Sequence, residues 1–267
     1  SLALERERGI TIKLAPVRLK YMYHSPVIAN TSTSLSVNSV KQSDLSEGKA
    51  SSADSGQARM TGIASSSDVR RSPRNDEEEY TLNLIDTPGH VDFSYEVSRA
   101  LAAVEGAILL VDATHGIQAQ TLAHGLSALE QNLVLIPVIN KIDLPNADVA
   151  GSVKQLVDTF GFRDDGIILA SGKSGQGVEE ILKVVIKRVP PPKSAGALPN
   201  HLGGGQLRAL IFDSFFDPYK GVVAQIRVVE GEVPSVGTKI KFLGTKAEGE
   251  VLEKGYFSPQ LTQAESL

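Results

Sequence analysis

The chain has 267 residues, 41% hydrophobic and 22% charged, with a net charge of -4. That fits one large or two modest globular domains, and it argues against a chain that binds polyanions over its whole surface, leaving any nucleic-acid contact to a local patch. Without cysteine there is no disulfide, no thiolate nucleophile and no thiolate metal site, which suits a reducing compartment, and no apolar run approaches the ~20 residues that span a bilayer.

Ser1-Leu2-Ala3 resembles neither a signal nor a transit peptide. The chain stops at Glu265-Ser266-Leu267 within a strand-rich stretch, so the sequence reads as an internal fragment. Leu4 to Thr11 is charged and breaks at Gly9. Ile10 to Tyr23 then alternates apolar and polar residues, which predicts a strand. Pro16 inside it predicts a sheet edge or a bulge, because proline cannot donate to a ladder. Next, fourteen serines and no aromatic residue fall between Ser25 and Ser72. Such a stretch buries too little apolar surface to fix its backbone. Residues from about 24 to 78 are therefore expected to be a disordered insertion between two strands of one hairpin. Its Arg70-Arg71-Ser72-Pro73-Arg74 reads as a solvated charge cluster.

Tyr80 to Ile85 is an apolar run that predicts a buried strand, and it ends on Asp86-Thr87-Pro88-Gly89-His90. Strand ends at the carboxyl edge of an open α/β sheet are where ligands sit. Asp86 can hold Mg²⁺ through water, since hard cations take oxygen ligands and Mg²⁺ keeps several waters. Gly89 lets a backbone N–H approach a phosphate oxygen, and His90 beside it can orient an attacking water. Alone, the same letters also describe an ordinary Pro-Gly corner between strand and helix.

Ser94 to Glu105 has helical spacing at Tyr95, Val97, Leu101 and Val104, with Ser94 as a candidate cap. Ala107 to Asp112 is a continuous apolar run ending in an acid, as central parallel strands read. A helix is expected over Gln118 to Glu130, with Leu122, Leu126 and Leu129 on one face. A strand over Leu133 to Ile139 leads to Asn140-Lys141-Ile142-Asp143. A further helix (Ala147 to Phe160) and short strand (Gly166 to Ala170) lead to Ser171-Gly172-Lys173, and a last helix (Gly177 to Val189) precedes three prolines. This alternation predicts a doubly wound α/β domain over 1–189. Residues 190–205 read as a Pro- and Gly-rich linker. From 206 to 267 only strands are expected, the opening of a small β-barrel.

The three polar strand ends have a joint reading. A carboxylate at Asp143 can accept from N1–H and the N2 amino group of guanine, two donors that adenine lacks. Asn140 can bond the base edge, the stem of Lys141 can lie on the purine face, and backbone N–H groups of Ser171-Gly172-Lys173 can reach the guanine O6. One Asn-Lys-x-Asp match is weak, since any polar turn can carry it. Three motifs on three successive strand ends of one sheet are specific. Gly172-Lys173-Ser174 is a decoy for a phosphate-binding loop. Five apolar or strand residues, not four, separate it from Gly166, so no such loop is present in the sequence.

With Arg8-Gly9-Ile10-Thr11, Asp86-Thr87-Pro88-Gly89-His90 and Asn140-Lys141-Ile142-Asp143, the chain resembles the translational GTPases, most nearly the LepA (elongation factor 4) type. Leu4 to Lys13 looks like that type's first switch and Val91 to Arg99 like its second. Gly116 to Thr121 and the Phe212 to Val223 stretch that opens the barrel fit it too. The resemblance covers all but the serine-rich insertion. It implies a P-loop-GTPase-like doubly wound sheet, truncated at its amino terminus, followed by the start of a translation-factor β-barrel. It also implies ribosome-dependent GTP hydrolysis with GTP and GDP as substrate and product. Thr11 and Asp86 would serve as Mg²⁺ residues, Gly89 would bond the γ-phosphate, and His90 would position the water. Asn140, Lys141, Asp143, Ser171, Gly172 and Lys173 would contact the base. The implied partner is a ribosome carrying tRNA and the implied place the cytoplasm, with peripheral membrane association or an organelle matrix as alternatives. Three departures stand out: the phosphate loop is absent, which predicts poor GTP binding by this stretch alone; Ser-Gly-Lys replaces the usual Ser-Ala-Lys; and the insertion is foreign to the pattern. Another translational GTPase, or a ribosome-binding protein of this fold that does not hydrolyse GTP, is the alternative.

Overall fold

The computed structural model describes residues 14–24, 59–66, 77–88, 93–192, 207–258 and 260–264. Two compact units divide the chain, one of 1–15 and 19–192, the other of 16–18 and 193–267.

The first unit is built on a six-stranded sheet ordered β1-β3-β2-β4-β5-β6. Its strands are β1 (Ala15–His24), β2 (Arg59–Ser66), β3 (Glu77–Asp86), β4 (Gly106–Asp112), β5 (Val134–Asn140) and β6 (Ile168–Leu169). Strands β4, β5 and β6 run parallel. As Pro16 predicts, β1 lies at the edge. The chain tolerates a second proline, Pro137, inside β5 for a related reason. On one flank β6 pairs only with Val138 and Ile139, so the ladder there asks nothing of residue 137.

The alternation of β5 sorts its side chains onto the two faces of the sheet. Leu135 and Ile139 join Ala107, Leu109 and Val111 of β4 in one buried cluster, with Val97 and Leu101 of α1 (Ser94–Leu101), Ala128 of α2 (Ala119–Glu130) and Leu156 of α3 (Val149–Phe160). Ile136 and Val138 face the other way, packing with Tyr21, Tyr23, Leu82, and Leu182 and Val185 of α4 (Val178–Arg188). Helices thus cover both faces, the doubly wound arrangement expected from the sequence.

Local details differ from expectation for physical reasons. Ser94 is the first residue of α1 rather than its cap; Phe93 holds the cap position without a side-chain bond. Leu122, Leu126 and Leu129 do share a face of α2, but it is the outward one, 38–46% exposed. The inward face is Thr121, His124, Gly125 and Ala128. Small residues let the helix lie close to its neighbours: a Cβ on Gly125 would sit 2.5 Å from the Phe160 ring.

The expected disordered insertion over 24–78 needs correction. Arg59–Ser66 forms β2, antiparallel to both β3 and β4. Backbone pairing leaves no signal in composition. A strand in that slot pairs the backbone N–H and C=O groups that β3 and β4 would otherwise leave open. Glu77 and Glu78 likewise belong to β3, and residues 25–58 and 67–76 lie outside the described residues.

The second unit has strands alone among its described residues. They pair as three antiparallel couples: β7 (Arg208–Asp217) with β8 (Gly221–Glu230), β9 (Lys239–Lys241) with β10 (Glu248–Glu250), and β11 (Gly255–Ser258) with β12 (Gln260–Gln263). The expected opening of a barrel is present as these pairs, not as one continuous sheet. Most of the expected linker over 190–205 lies outside the described residues. None of the described helices is long and apolar enough to cross a membrane.

One glycine constrains the turn that follows β6. Gly177 holds φ +76°, and a Cβ there would overlap the carbonyl oxygen of Leu169, a backbone atom that cannot swing away. Gly177→Ala is expected to cost ~2 kcal/mol or more, a left-handed penalty of ~1–2 kcal/mol plus the overlap. Gly166→Ala, with open space at its Cβ position, should change stability by less than ~0.5 kcal/mol. Urea unfolding midpoints of the two variants check this; equal midpoints would contradict it.

Candidate functional site

Three parallel strands deliver their carboxyl ends to one edge. In register, Asp112 of β4 lies opposite Asn140 of β5, and the Ala113 amide donates to the Asn140 carbonyl at 2.9 Å. On the other flank, the Ala170 amide donates to Ile139 O at 2.8 Å and the Ile142 amide to Ala170 O at 3.4 Å. The turns after β5 and β6 are thereby fixed to each other by backbone alone.

Side chains tighten the junction. The Gly172 amide donates to Asn140 Oδ1 at 3.0 Å, joining the Asn-Lys-x-Asp turn to the Ser-Gly-Lys turn. Ser171 is fully buried, and its Oγ accepts from the Ser174 amide at 3.2 Å. A hydrogen bond from Ser171 is the main cause holding the Asp143 carboxyl below its ordinary pKa; desolvation opposes it, and a backbone hydrogen bond and nearby Lys173 add to it. Asp143 is therefore an exposed, ionised acceptor at neutral pH, which is what a pair of guanine donors requires. Lys141 adopts φ +64°, an uncommon conformation for a side chain larger than asparagine, and its Nζ lies 2.7 Å from Asp112 Oδ2.

The decoy turn behaves as its sequence implies. Gly166 ends a short 3₁₀ turn (Asp164–Gly166), and Ile168–Leu169 is strand, so nothing there wraps a phosphate.

Asp86 closes β3 at the same edge of the sheet. Because β2 is antiparallel to both neighbours, β3 runs parallel to β4, and the registers Asp86↔Thr61↔Ile108 set Asp86 four residues short of Asp112's level. Thr87 beside it is buried. Among the described residues no cluster of three or more metal-ligating side chains exists. A Mg²⁺ ion fits that set nonetheless, since it binds through one or two protein oxygens and keeps its waters, and Asp86 offers such an oxygen at a strand end. Thr11, Gly89 and His90 lie outside the described residues. The structure thus brings Asn140, Lys141, Asp143, Ser171, Gly172 and Lys173 together on neighbouring turns, with Asp86 on the same edge two strands beyond β4.

Sequence reasoning treated Asp112 only as the acid ending a strand, and it missed Gln155. Gln155 Oε1 accepts from the Ile117 amide at 2.8 Å and anchors the β4–α2 loop to α3. An apolar run ending in an acid was the available signal for Asp112. For Gln155 there was none, because the contact spans 38 residues. A separate cleft of 340 Å³ lies between α1 and α2, lined by Ser98, His124 and Ser127, away from the strand-end turns.

Comparison with known proteins follows the same lines. Residues 1–191 match the model of the elongation factor Tu GTP-binding domain. Elongation factor 4 of Dehalococcoides mccartyi is 45% identical over 259 residues, 97% of this chain and 33% of the relative. That of Aquifex aeolicus is 54% identical over 192 residues, 72% of this chain and 31% of the relative, and that of Staphylococcus haemolyticus 44% over 267, 100% and 34%. The chain therefore spans about a third of the length of these relatives. A crystal structure of a bacterial selenocysteine-specific elongation factor superposes with a TM-score of 0.57 at 19% identity, over 98% of this chain and 35% of that one, a likeness of fold.

If Asp143 reads the base, Asp143→Asn exchanges an acceptor for a donor and should move preference from GDP toward XDP by about ten- to hundredfold, the worth of one bidentate base contact. Competition binding in the full-length protein checks this; an unchanged GDP-to-XDP ratio would remove Asp143 from the base site.

Proposed function

From the premise that this chain belongs to the translational GTPases, as a relative of elongation factor 4, we propose that the protein binds GTP and hydrolyses it to GDP and phosphate when docked on the ribosome. The observation that carries the reading is the bond between Gly172 N–H and Asn140 Oδ1. It supports one guanine-reading surface assembled from two turns 32 residues apart, rather than two unrelated polar loops.

In this reading Asp143 accepts from the guanine N1–H and N2 amino group, Asn140 braces the turn and faces the base edge, and Lys141 covers the purine. The Ser171-Gly172-Lys173 turn offers amides to O6. Asp86, through water, and Thr11 would hold Mg²⁺, which would supply charge neutralisation on the phosphate oxygens. Gly89 donates its amide to the γ-phosphate. His90 orients the attacking water once the ribosome has placed it. Catalysis of this kind rests on positioning and charge stabilisation, so a slow isolated enzyme that awaits an external activator is the expected behaviour. The two switch segments order around the γ-phosphate and relax after it leaves. The partner is a ribosome with bound tRNA, whose translocation state the cycle acts on, and the setting is the bacterial-type cytoplasm.

His90→Ala in the full-length protein should leave GTP affinity within about twofold and lower ribosome-stimulated hydrolysis by about 100-fold or more, the scale of a lost proton-handling group. Turnover measured with purified ribosomes decides it. Undiminished turnover would overturn the role given to His90, and GTP binding without any ribosome-stimulated hydrolysis in the wild type would favour a protein of this fold that only binds.

A further inference from the structure

Asp112 closes β4 with its side chain 6% exposed, and three residues converge on it. Oδ1 accepts from the Thr114 amide at 2.8 Å and from Thr114 Oγ1 at 2.6 Å. Oδ2 pairs with Lys141 Nζ at 2.7 Å and stands 3.4 Å from His115 Nδ1. The carboxylate sits on an unusually well-fixed loop. The amides of His115 and Gly116 donate to Asp112 O at 3.1 and 2.8 Å, the Asp148 amide to Ala113 O at 2.7 Å, and the Ile117 amide to Gln155.

Lys141 is the opposite kind of group, a long stem with many rotamers, 32% exposed, on a left-handed backbone. A stem can serve as the floor of a purine site only in one conformation. Choosing it at the moment of binding costs affinity, whereas a stem already fixed does not. The ion pair also occupies the ammonium, so Lys141 contributes contact with the base rather than attraction for phosphates. Resting on the guanine-site reading above, we infer that Asp112 is a positioning residue: it holds the Lys141 side chain across the end of β5 so that its stem is ready to receive the purine.

The test is a double-mutant cycle in the full-length protein, reading affinities for GDP, GTP and ADP together with thermal unfolding. Asp112→Asn should weaken GDP and GTP equally, by about five- to tenfold, the scale of freezing one long side chain. In a Lys141→Met background, where the stem persists without its tether, Asp112→Asn should change affinity by less than about twofold. A merely structural role would lower the unfolding temperature but leave the cycle without coupling. Wild-type affinity in Asp112→Asn, or equal losses in both backgrounds, would overturn the inference while leaving the guanine site standing. A wild type that does not prefer GDP to ADP would overturn both. Should Asp112→Asn fail to fold, Lys141→Met alone carries the test: it should lose the same five- to tenfold, and undiminished GDP affinity would show the tether to be unnecessary.

Discussion

The bond between the Gly172 amide and the Asn140 side chain is of ordinary length, exposed and worth no more than ~1 kcal/mol to stability. Its importance is geometric. Parallel strands cannot be joined by a tight turn, so each β-α-β crossover leaves its strand end separate in sequence from the next. Asn140 and Gly172 come from different crossovers, and their bond fixes the distance between two turns that the covalent chain leaves free. The backbone pairs Ala170–Ile139 and Ile142–Ala170 set the strands; the side-chain bond sets the loops on top of them. A site made of single residues from several loops needs that second level of control, because a displacement of about 1 Å costs much of the benefit of alignment.

The polar groups at this edge divide by burial into two kinds of work. Ser171 and Asp112 are buried, and each has partners on its own or a neighbouring turn, hydrogen bonds at Ser171 Oγ and Asp112 Oδ1 and an ion pair at Asp112 Oδ2. Desolvation alone would raise the Asp112 pKa; the bonds from Lys141 and Thr114 outweigh it and hold the carboxyl below its ordinary value. Groups of this kind are expensive to leave unpaired and therefore rigid. Asp143 is open to solvent, bonded by Ser171 and by its own backbone amide, with Lys173 nearby. It keeps acceptor capacity for a ligand. Rigid, paired groups beneath a less committed acceptor make a surface that can select a base without reorganising.

Much of this was legible in the sequence because burial on both faces writes itself as an apolar run. The stretches Ala107 to Val111 and Leu133 to Ile139 read as central strands, and their polar ends pointed to the functional edge. The alternation of β5 between two clusters follows from the same residues. What stayed hidden depends on partners rather than on local pattern. The strand Arg59–Ser66 exists because two neighbours offer their ladders, which no composition reveals. The outward leucines of α2 show the reverse: their spacing was read correctly, but which face packs was decided by Gly125 and Ala128, small enough for close approach. The Asp112–Lys141 pair was unreadable because 29 positions and a helix separate its members, and only the register Asp112↔Asn140 brings them together.

The central claim is that the turns after β5 and β6 act as one surface for guanine. Amide hydrogen exchange of the full-length protein, with and without GDP, tests it most directly. GDP should protect 140–143 and 171–175 together, at the same nucleotide concentration, and ADP should protect neither. Protection confined to one turn, or appearing instead in the α1–α2 cleft, would contradict the account.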